Sequence, residues 1–258
     1  MKYFDANTWI GRWPFAFIEE HTAGSLAAHL RGHRIGRALV SPLGAVFAPE
    51  PGPANYQLLR TTEGVAGLEP VPVINPALAS WREDLAAVSS EPQVRAVRLL
   101  PAYHHYRLGS RVVDELAREL IRRKLRAIVQ VRLIDERHEY HSLSIKPVPA
   151  DDLAALARRQ PKLRLLASGL LRSEILAVLP KHPGLPADLS FGEWHDTIPH
   201  LLAKVPVRQL VFASHTPFLV TAAARAKLDT SGVRAAKLTQ IASANLERWL
   251  GPRREISA

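Results

Sequence analysis

Five stretches of the chain end an apolar run in residues that can move protons or hold ions. "FDANTWIG" (4–11) sets Asp5, Asn7 and Trp9 at alternate positions, so on a strand their side chains leave one face together. Two imidazoles at that spacing could share one ion, but here an amide and an indole stand instead. "VRLLPAYHHY" (97–106) brings Arg98, Tyr103 and His104, and "VQVRLIDERHEYH" (129–141) brings Arg132, Asp135, Glu136, Arg137, His138 and His141. "FGEWH" (191–195) supplies Glu193 and His195, and "ASHTPF" (213–218) supplies His215. A carboxylate that orients an imidazole makes a general base, so Asp5 and His215 are the candidate catalytic residues. Guanidinium forks grip carboxylates in bidentate fashion, which makes Arg98, Arg132 and Arg137 candidates for an anionic substrate. Asn7, Trp9, Tyr103, His104, Asp135 and His195 complete the candidate substrate contacts. Arg98 lies inside an apolar run, where a lone charge is costly. It requires an ion pair, with Asp5 or Asp135, or an anionic ligand. A divalent metal such as Zn²⁺ could be held by a rearranged set drawn from His104, His138, His195, Glu193 and His215.

The elements that must carry these residues follow from periodicity. Eight apolar, β-branched runs (2–7, 37–42, 68–75, 94–101, 127–133, 163–170, 187–191 and 209–214) alternate with amphipathic segments. Alternation of this kind means parallel strands with crossover helices, and eight repeats in 258 residues predict a single-domain (β/α)₈ barrel over 1–258. An open doubly wound sheet is the alternative, but "DANTWIGRWPF" lacks the glycine-rich phosphate turn that such a sheet carries after its first strand. In a barrel the chemistry sits at the C-terminal strand ends, where the residues above fall. The long connection after the fifth run, "IDERHEYHSLSIKPVPAD" (134–151), is the expected elaborated loop over the mouth.

Composition narrows the partners. The chain is 47% hydrophobic and contains no cysteine, which rules out disulfides and thiolate ligation and points to a cytoplasmic location. No run reaches the roughly 18 apolar residues that a membrane span requires, so no membrane partner is expected. The net charge of +10 would suit nucleic acid, but the arginines are interleaved with acids on amphipathic segments such as "ELARELIRRKLR". The expected partner is therefore a small anionic molecule rather than a polynucleotide. A homo-oligomer is compatible with the sequence.

The order of "FDANTWIG", "VRLLPAYHHYRL", "VQVRLIDER", "LVFASHTPF" and "SANLERWLG" resembles the amidohydrolase-related proteins, within the TIM-barrel metal-dependent hydrolase superfamily, along nearly the whole chain. In that family the first strand ends Asp-x-His-x-His and the eighth ends Gly-(Ser/Thr)-Asp-x-Pro, ahead of a closing helix that "ANLERWL" matches. Here Asn7 and Trp9 stand at the two histidine positions and His215 at the aspartate position. "VQVRL" and "LLASGL" carry no counterpart of the family's fifth- and sixth-strand histidines. Only Asp5 carries over. The resemblance implies a site kept in place without its usual metal ligands. The leading expectation is a metal-free hydrolase of a lactone, amide or related carboxylate. The alternatives are a decarboxylase or hydrolase with a rearranged metal site, and a noncatalytic descendant that binds a ligand or partner.

Overall fold

In the computed structural model, residues 1–135, 140 and 143–252 are described. Eight parallel strands appear in sequence order: β1 (Tyr3–Ile10), β2 (Ile35–Pro42), β3 (Leu68–Pro70), β4 (Ala96–Leu99), β5 (Arg126–Gln130), β6 (Leu165–Ser168), β7 (Ala187–Asp188) and β8 (Leu210–Val211). They pair as β1-β2-β3 and as β4-β5-β6-β7-β8. Two seams join these sheets. Arg98 donates its backbone N–H to Pro72 at 2.7 Å and accepts from Ile74 at 3.0 Å, joining the third strand region to β4. Ala6 donates to Phe212 at 3.1 Å and Trp9 to Thr216 at 2.9 Å, joining β1 to the chain beyond β8. The cylinder is therefore closed, as the (β/α)₈ reading expects.

Helices α1 (Ala23–Gly32), α2 (Gly52–Thr62), α3 (Trp81–Ser89), α4 (Arg111–Arg122), α5 (Ala150–Arg159), α6 (Arg172–Val178) and α7 (Thr197–Leu202) follow the first seven strands in turn. Beyond β8 come α8 (Thr221–Asp229), α9 (Ala235–Thr239) and α10 (Asn245–Leu250). Helix α8 has no counterpart in the sequence reading, because "TAAARAKLD" offers few large apolar side chains to mark a buried stripe. No helix among the described residues is long and apolar enough to cross a membrane.

Strand periodicity sorts the interior into layers. At the bottom, Phe4, Leu39, Val71, Ala96, Ile128 and Leu166 pack with Leu246, Trp249 and Leu250 of α10, which stops that end. Two residues further along their strands, Leu39, Ala96, Ile128 and Leu166 are succeeded by the buried polar residues Ser41, Arg98, Gln130 and Ser168. Above this polar layer lies a second apolar cluster of Trp9, Leu43, Val46, Val73, Leu100 and Leu133, against which Trp13, Tyr103 and Phe218 rest. The barrel thus carries a charged layer between two greasy plugs.

Candidate active site and mouth pocket

Arg98 is the centre of the polar layer and is fully buried. Its Nε donates to Ser41 Oγ at 2.8 Å, one Nη donates to Gln130 Oε1, and Ser168 Oγ and the Ala6 carbonyl each lie at 3.5 Å. The guanidinium carbon sits 4.6 Å from the centroid of the Trp9 ring. Burial pulls the Arg98 pKa down to about 9, and the charges of Asp188 and Asp5 oppose that fall. The guanidinium therefore stays cationic near neutral pH. Asp188, on β7, accepts from the Ser168 hydroxyl at 2.5 Å and from Ser190 at its hydroxyl (2.6 Å) and backbone N–H (3.1 Å). The sequence reading missed Asp188, although an acid inside the run "ADLSF" carries the same signal that marked Arg98.

Asp5 and His215 come to this same end of the barrel but do not touch through a hydrogen bond. Asp5 Oδ1 accepts the backbone N–H groups of Asn7 and Ser214, each at 3.0 Å, while its Oδ2 has no hydrogen-bond partner. Burial lifts the Asp5 pKa to about 7, against the pull of the Ser214 and Asn7 donors. His215 is held by Asn7 instead: the amide Nδ2 lies 2.6 Å from Nδ1, and Nε2 lies 2.5 Å from the Leu133 carbonyl. A carbonyl only accepts and an amide N–H₂ only donates, so the ring is neutral with its proton on Nε2. Burial also drives its pKa below the usual imidazole value. With φ at 58°, His215 occupies the left-handed region, a conformation that such bonds must hold in place. The Trp9 indole N–H closes the set by donating to Asn7 Oδ1 at 2.9 Å.

This donor set does not fit the metal that the resemblance implies. The Asn7 amide nitrogen is turned toward His215, the indole of Trp9 has no lone pair to give, and both nitrogens of His215 are engaged. Asp188 spends both oxygens on Ser168, Ser190 and the Gly169 N–H. Asp5 Oδ2 alone is open, and a guanidinium shares the layer. Among the described residues, no group of three or more His, Cys, Asp and Glu could hold an ion.

Among the described residues, the rearranged metal set does not assemble either. His104 is buried with Nε2 bonded to the Ala45 carbonyl at 3.0 Å, while His195 and Glu193 are exposed beyond β7. Glu136, Arg137, His138 and His141 lie outside the described residues.

Arg132 leaves β5 in the direction of β6, not toward Arg98. Its two terminal nitrogens grip Glu174 at 2.7 and 2.8 Å, and one also meets the Gly169 carbonyl at 2.5 Å. This approach requires glycine at 169: its φ is 84°, and a Cβ there would meet the Arg132 carbonyl oxygen at 2.6 Å. Burial would raise the Glu174 pKa, but the hydrogen bonds from Arg132 and the Leu171 N–H hold it below the usual carboxylate range. The fork read as a carboxylate grip is thus closed on a residue of the chain itself, which the sequence reading did not single out.

The open space at this end lies above the upper plug. A pocket of about 310 Å³ is lined by Trp13, Phe15, Tyr103, Tyr140 and Phe218, with Ile134 and Asp135 on one wall. These residues come from the loops after β1, β4, β5 and β8. Trp13 is the hub, with Phe218 at 5.0 Å, Phe47 at 5.3 Å and Phe15 at 5.7 Å between ring centroids. Phe15 stacks on Tyr140 at 5.2 Å. A second cleft of about 500 Å³ lies beside it, between Arg132, Arg172, Phe191 and Trp194, with Asp135 on the dividing wall. Neither space is lined by Asp5, Asn7, Arg98 or His215. Trp9, predicted to touch substrate, is fully buried in the plug below.

The fold and this arrangement define a closed (β/α)₈ barrel with a buried polar layer between two apolar clusters. No family model matches the sequence, and no curated protein is detectably similar to it. Solved structures are similar in fold. A manganese-bound 5-carboxyvanillate decarboxylase from Novosphingobium aromaticivorans superposes with a TM-score of 0.77 at 11% identity, covering 96% of each chain. A 2,6-dihydroxybenzoate decarboxylase from Rhizobium gives 0.71 at 10% identity, over 96% of this chain and 98% of that one. A TIM-barrel protein from Bordetella bronchiseptica gives 0.67 at 12%, over 97% and 98%.

Proposed function

We propose that this chain is a small-molecule-binding member of the amidohydrolase-like barrels whose ligand sits in the aromatic pocket at the mouth. One observation carries the reading: the pocket opens where ligands of this fold meet the barrel, and the apolar plug of Trp9 and Leu133 separates it from the polar layer. Its volume lies at the small end of the range for ligand sites, roughly 300–1,000 Å³. Six aromatic side chains, Phe17 among them, favour a flat ring that stacks on one and meets others edge-on. The structural neighbours named for carboxyvanillate and dihydroxybenzoate act on single-ring aromatic acids, which supports a ligand of that size. The net charge of +10 favours an acid over an amine in the approach to the protein. Titration of tryptophan fluorescence with hydroxybenzoates, matched neutral phenols and benzylamines tests this. Saturable binding of a ring compound, weakened tenfold or more by Trp13→Ala, is the expected result. A panel with no saturable binder, or affinity unchanged in Trp13→Ala, would overturn it.

A second reading has one observation in its favour, the unpartnered Oδ2 of Asp5 on a carboxyl whose pKa stands near 7. A carboxyl with that pKa suits proton transfer at neutral pH. In this reading Asp5 activates water on a lactone or amide, or protonates a ring carbon during decarboxylation, once the plug has opened. His215 supports it by position and not as the base, since it would first have to release Asn7. Product detection by mass spectrometry distinguishes the readings. Turnover abolished in Asp5→Asn with binding retained supports the second, while binding without product in any case supports the first.

A further inference from the structure

We infer that the guanidinium of Arg98 is a built-in cation that takes, at the centre of the polar layer, the place of a metal ion. The inference is independent of what occupies the mouth pocket. Arg98 is held from β1 by the Ala6 carbonyl and the Trp9 ring, from β2 by Ser41, from β5 by Gln130 and from β6 by Ser168. One of these contacts, Trp9, stands where the resemblance calls for an imidazole, and Gln130 and Ser168 close the fifth and sixth strands, whose runs carry no histidine. Each of the three side chains suits a guanidinium. An indole offers a π face to a planar cation, while the amide oxygen and the hydroxyl accept N–H donors. None of the three is a good ligand for a divalent ion.

The charges agree with the contacts. Asp5 and Asp188 face the layer from β1 and β7, and the field of each favours the cationic form of Arg98. Ser168 links the two signs, lying 3.5 Å from the guanidinium and donating to Asp188 at 2.5 Å. A divalent ion entering this layer would meet a fixed positive charge and one open carboxylate oxygen. Trp9, Gln130 and Ser168 thus form a set suited to a covalently attached cation rather than to a metal ion. The barrel can then keep two acids at its centre whatever metal the surroundings supply.

Elemental analysis of wild-type protein purified without added metal is expected to give far less than one equivalent of any first-row metal. Its Tm should not move with EDTA or with added Mn²⁺ or Zn²⁺. Removing the cation should hurt: Arg98→Met is expected to lower Tm by about 10 °C or more, because two buried acids lose their counter-charge. Arg98→Met combined with Asp188→Asn should recover part of that loss, which an additive pair would not. If Arg98→Met does not fold, recovery of a cooperative melt in the double variant carries the same meaning. A stoichiometric metal whose removal lowers the wild-type Tm would overturn the inference. So would strictly additive effects of the two substitutions, or a double variant that remains unfolded.

Discussion

The side-chain amide of Asn7 donates to Nδ1 of His215 across 2.6 Å, and this bond fixes a buried imidazole in its neutral form. The histidine that the sequence marks as a candidate base therefore has no lone pair facing the mouth. Removal of the donor by Asn7→Ala leaves a buried ring nitrogen unsatisfied and should cost about 1–3 kcal/mol. The same change frees Nδ1 for a proton, so the His215 pKa should rise from its depressed value. Denaturant unfolding measures the first effect and ¹⁵N NMR of the imidazole the second. A wild-type-like melt together with an unchanged ring titration would show that the bond does not form.

Asp5 and His215 should give the stability profile two slopes of opposite sign. The Asp5 carboxyl is raised from 3.8 to about 7, so the folded state holds a proton that the unfolded chain releases, and stability falls as pH climbs through that window. His215 is depressed from 6.5, so the unfolded chain takes up a proton first, and stability falls as pH drops below about 6.5. Between about pH 4 and 6.5 the two largely offset each other. Asp5→Asn removes one slope, and the variant should lose stability on acidification more steeply than wild type. Melting curves at half-unit pH steps decide, and parallel curves for the two proteins would contradict the shift assigned to Asp5.

The grip of Arg132 on Glu174 ties β5 to the start of α6, and here the bond is structural. Glu174→Gln keeps the shape but leaves a buried guanidinium with a neutral partner. The Glu174 side chain is 25% exposed, so water offsets part of the loss, and about 1–3 kcal/mol is the expected cost. Ligand affinity in the aromatic pocket should stay within about twofold, since Glu174 does not line it. Isothermal titration with the best ring compound checks this, and a large loss of affinity would move the ligand toward the cleft beside Arg132.

All eight strands were legible as apolar runs because strands buried on both faces are near-continuously apolar, with few polar residues to break the pattern. Pairing extends less far than the runs: the third run spans 68–75 but β3 only Leu68–Pro70, since Pro72 has no N–H to give and the chain there accepts from Arg98 instead. Helix α8 was invisible because the four alanines in "TAAARAKLD" do not distinguish a buried stripe. At the site, strand-end position told which end of the barrel each residue would reach, but not its partner. Asn7 finds His215 across 208 positions and Arg132 finds Glu174 across 42, and neither distance carries a periodic signal. The upper plug was equally hidden, because Leu43, Leu100 and Leu133 read simply as continuations of apolar runs.

Trp9 separates the two levels of the site, so its substitutions should separate their energetics. The side chain fills the space between Arg98 and the mouth, with its indole N–H on Asn7 and its ring over the guanidinium. Trp9→Phe keeps most of the apolar volume and loses one buried hydrogen bond, which should cost about 1–2 kcal/mol. Trp9→Ala opens a cavity as well as losing that bond, for about 3–5 kcal/mol. Trp9→His restores the residue type that the first-strand spacing suggests for a metal site, yet Arg98 and the Asn7 to His215 bond remain. This variant should therefore bind Zn²⁺ no better than wild type and should melt nearer to Trp9→Ala than to Trp9→Phe. Urea titrations of the three variants, run with and without Zn²⁺, measure the order. Equal costs for Phe and Ala would mean that Trp9 does not fill the plug, and Zn²⁺ stabilisation of Trp9→His would mean that one imidazole suffices to rebuild the site beside a fixed guanidinium.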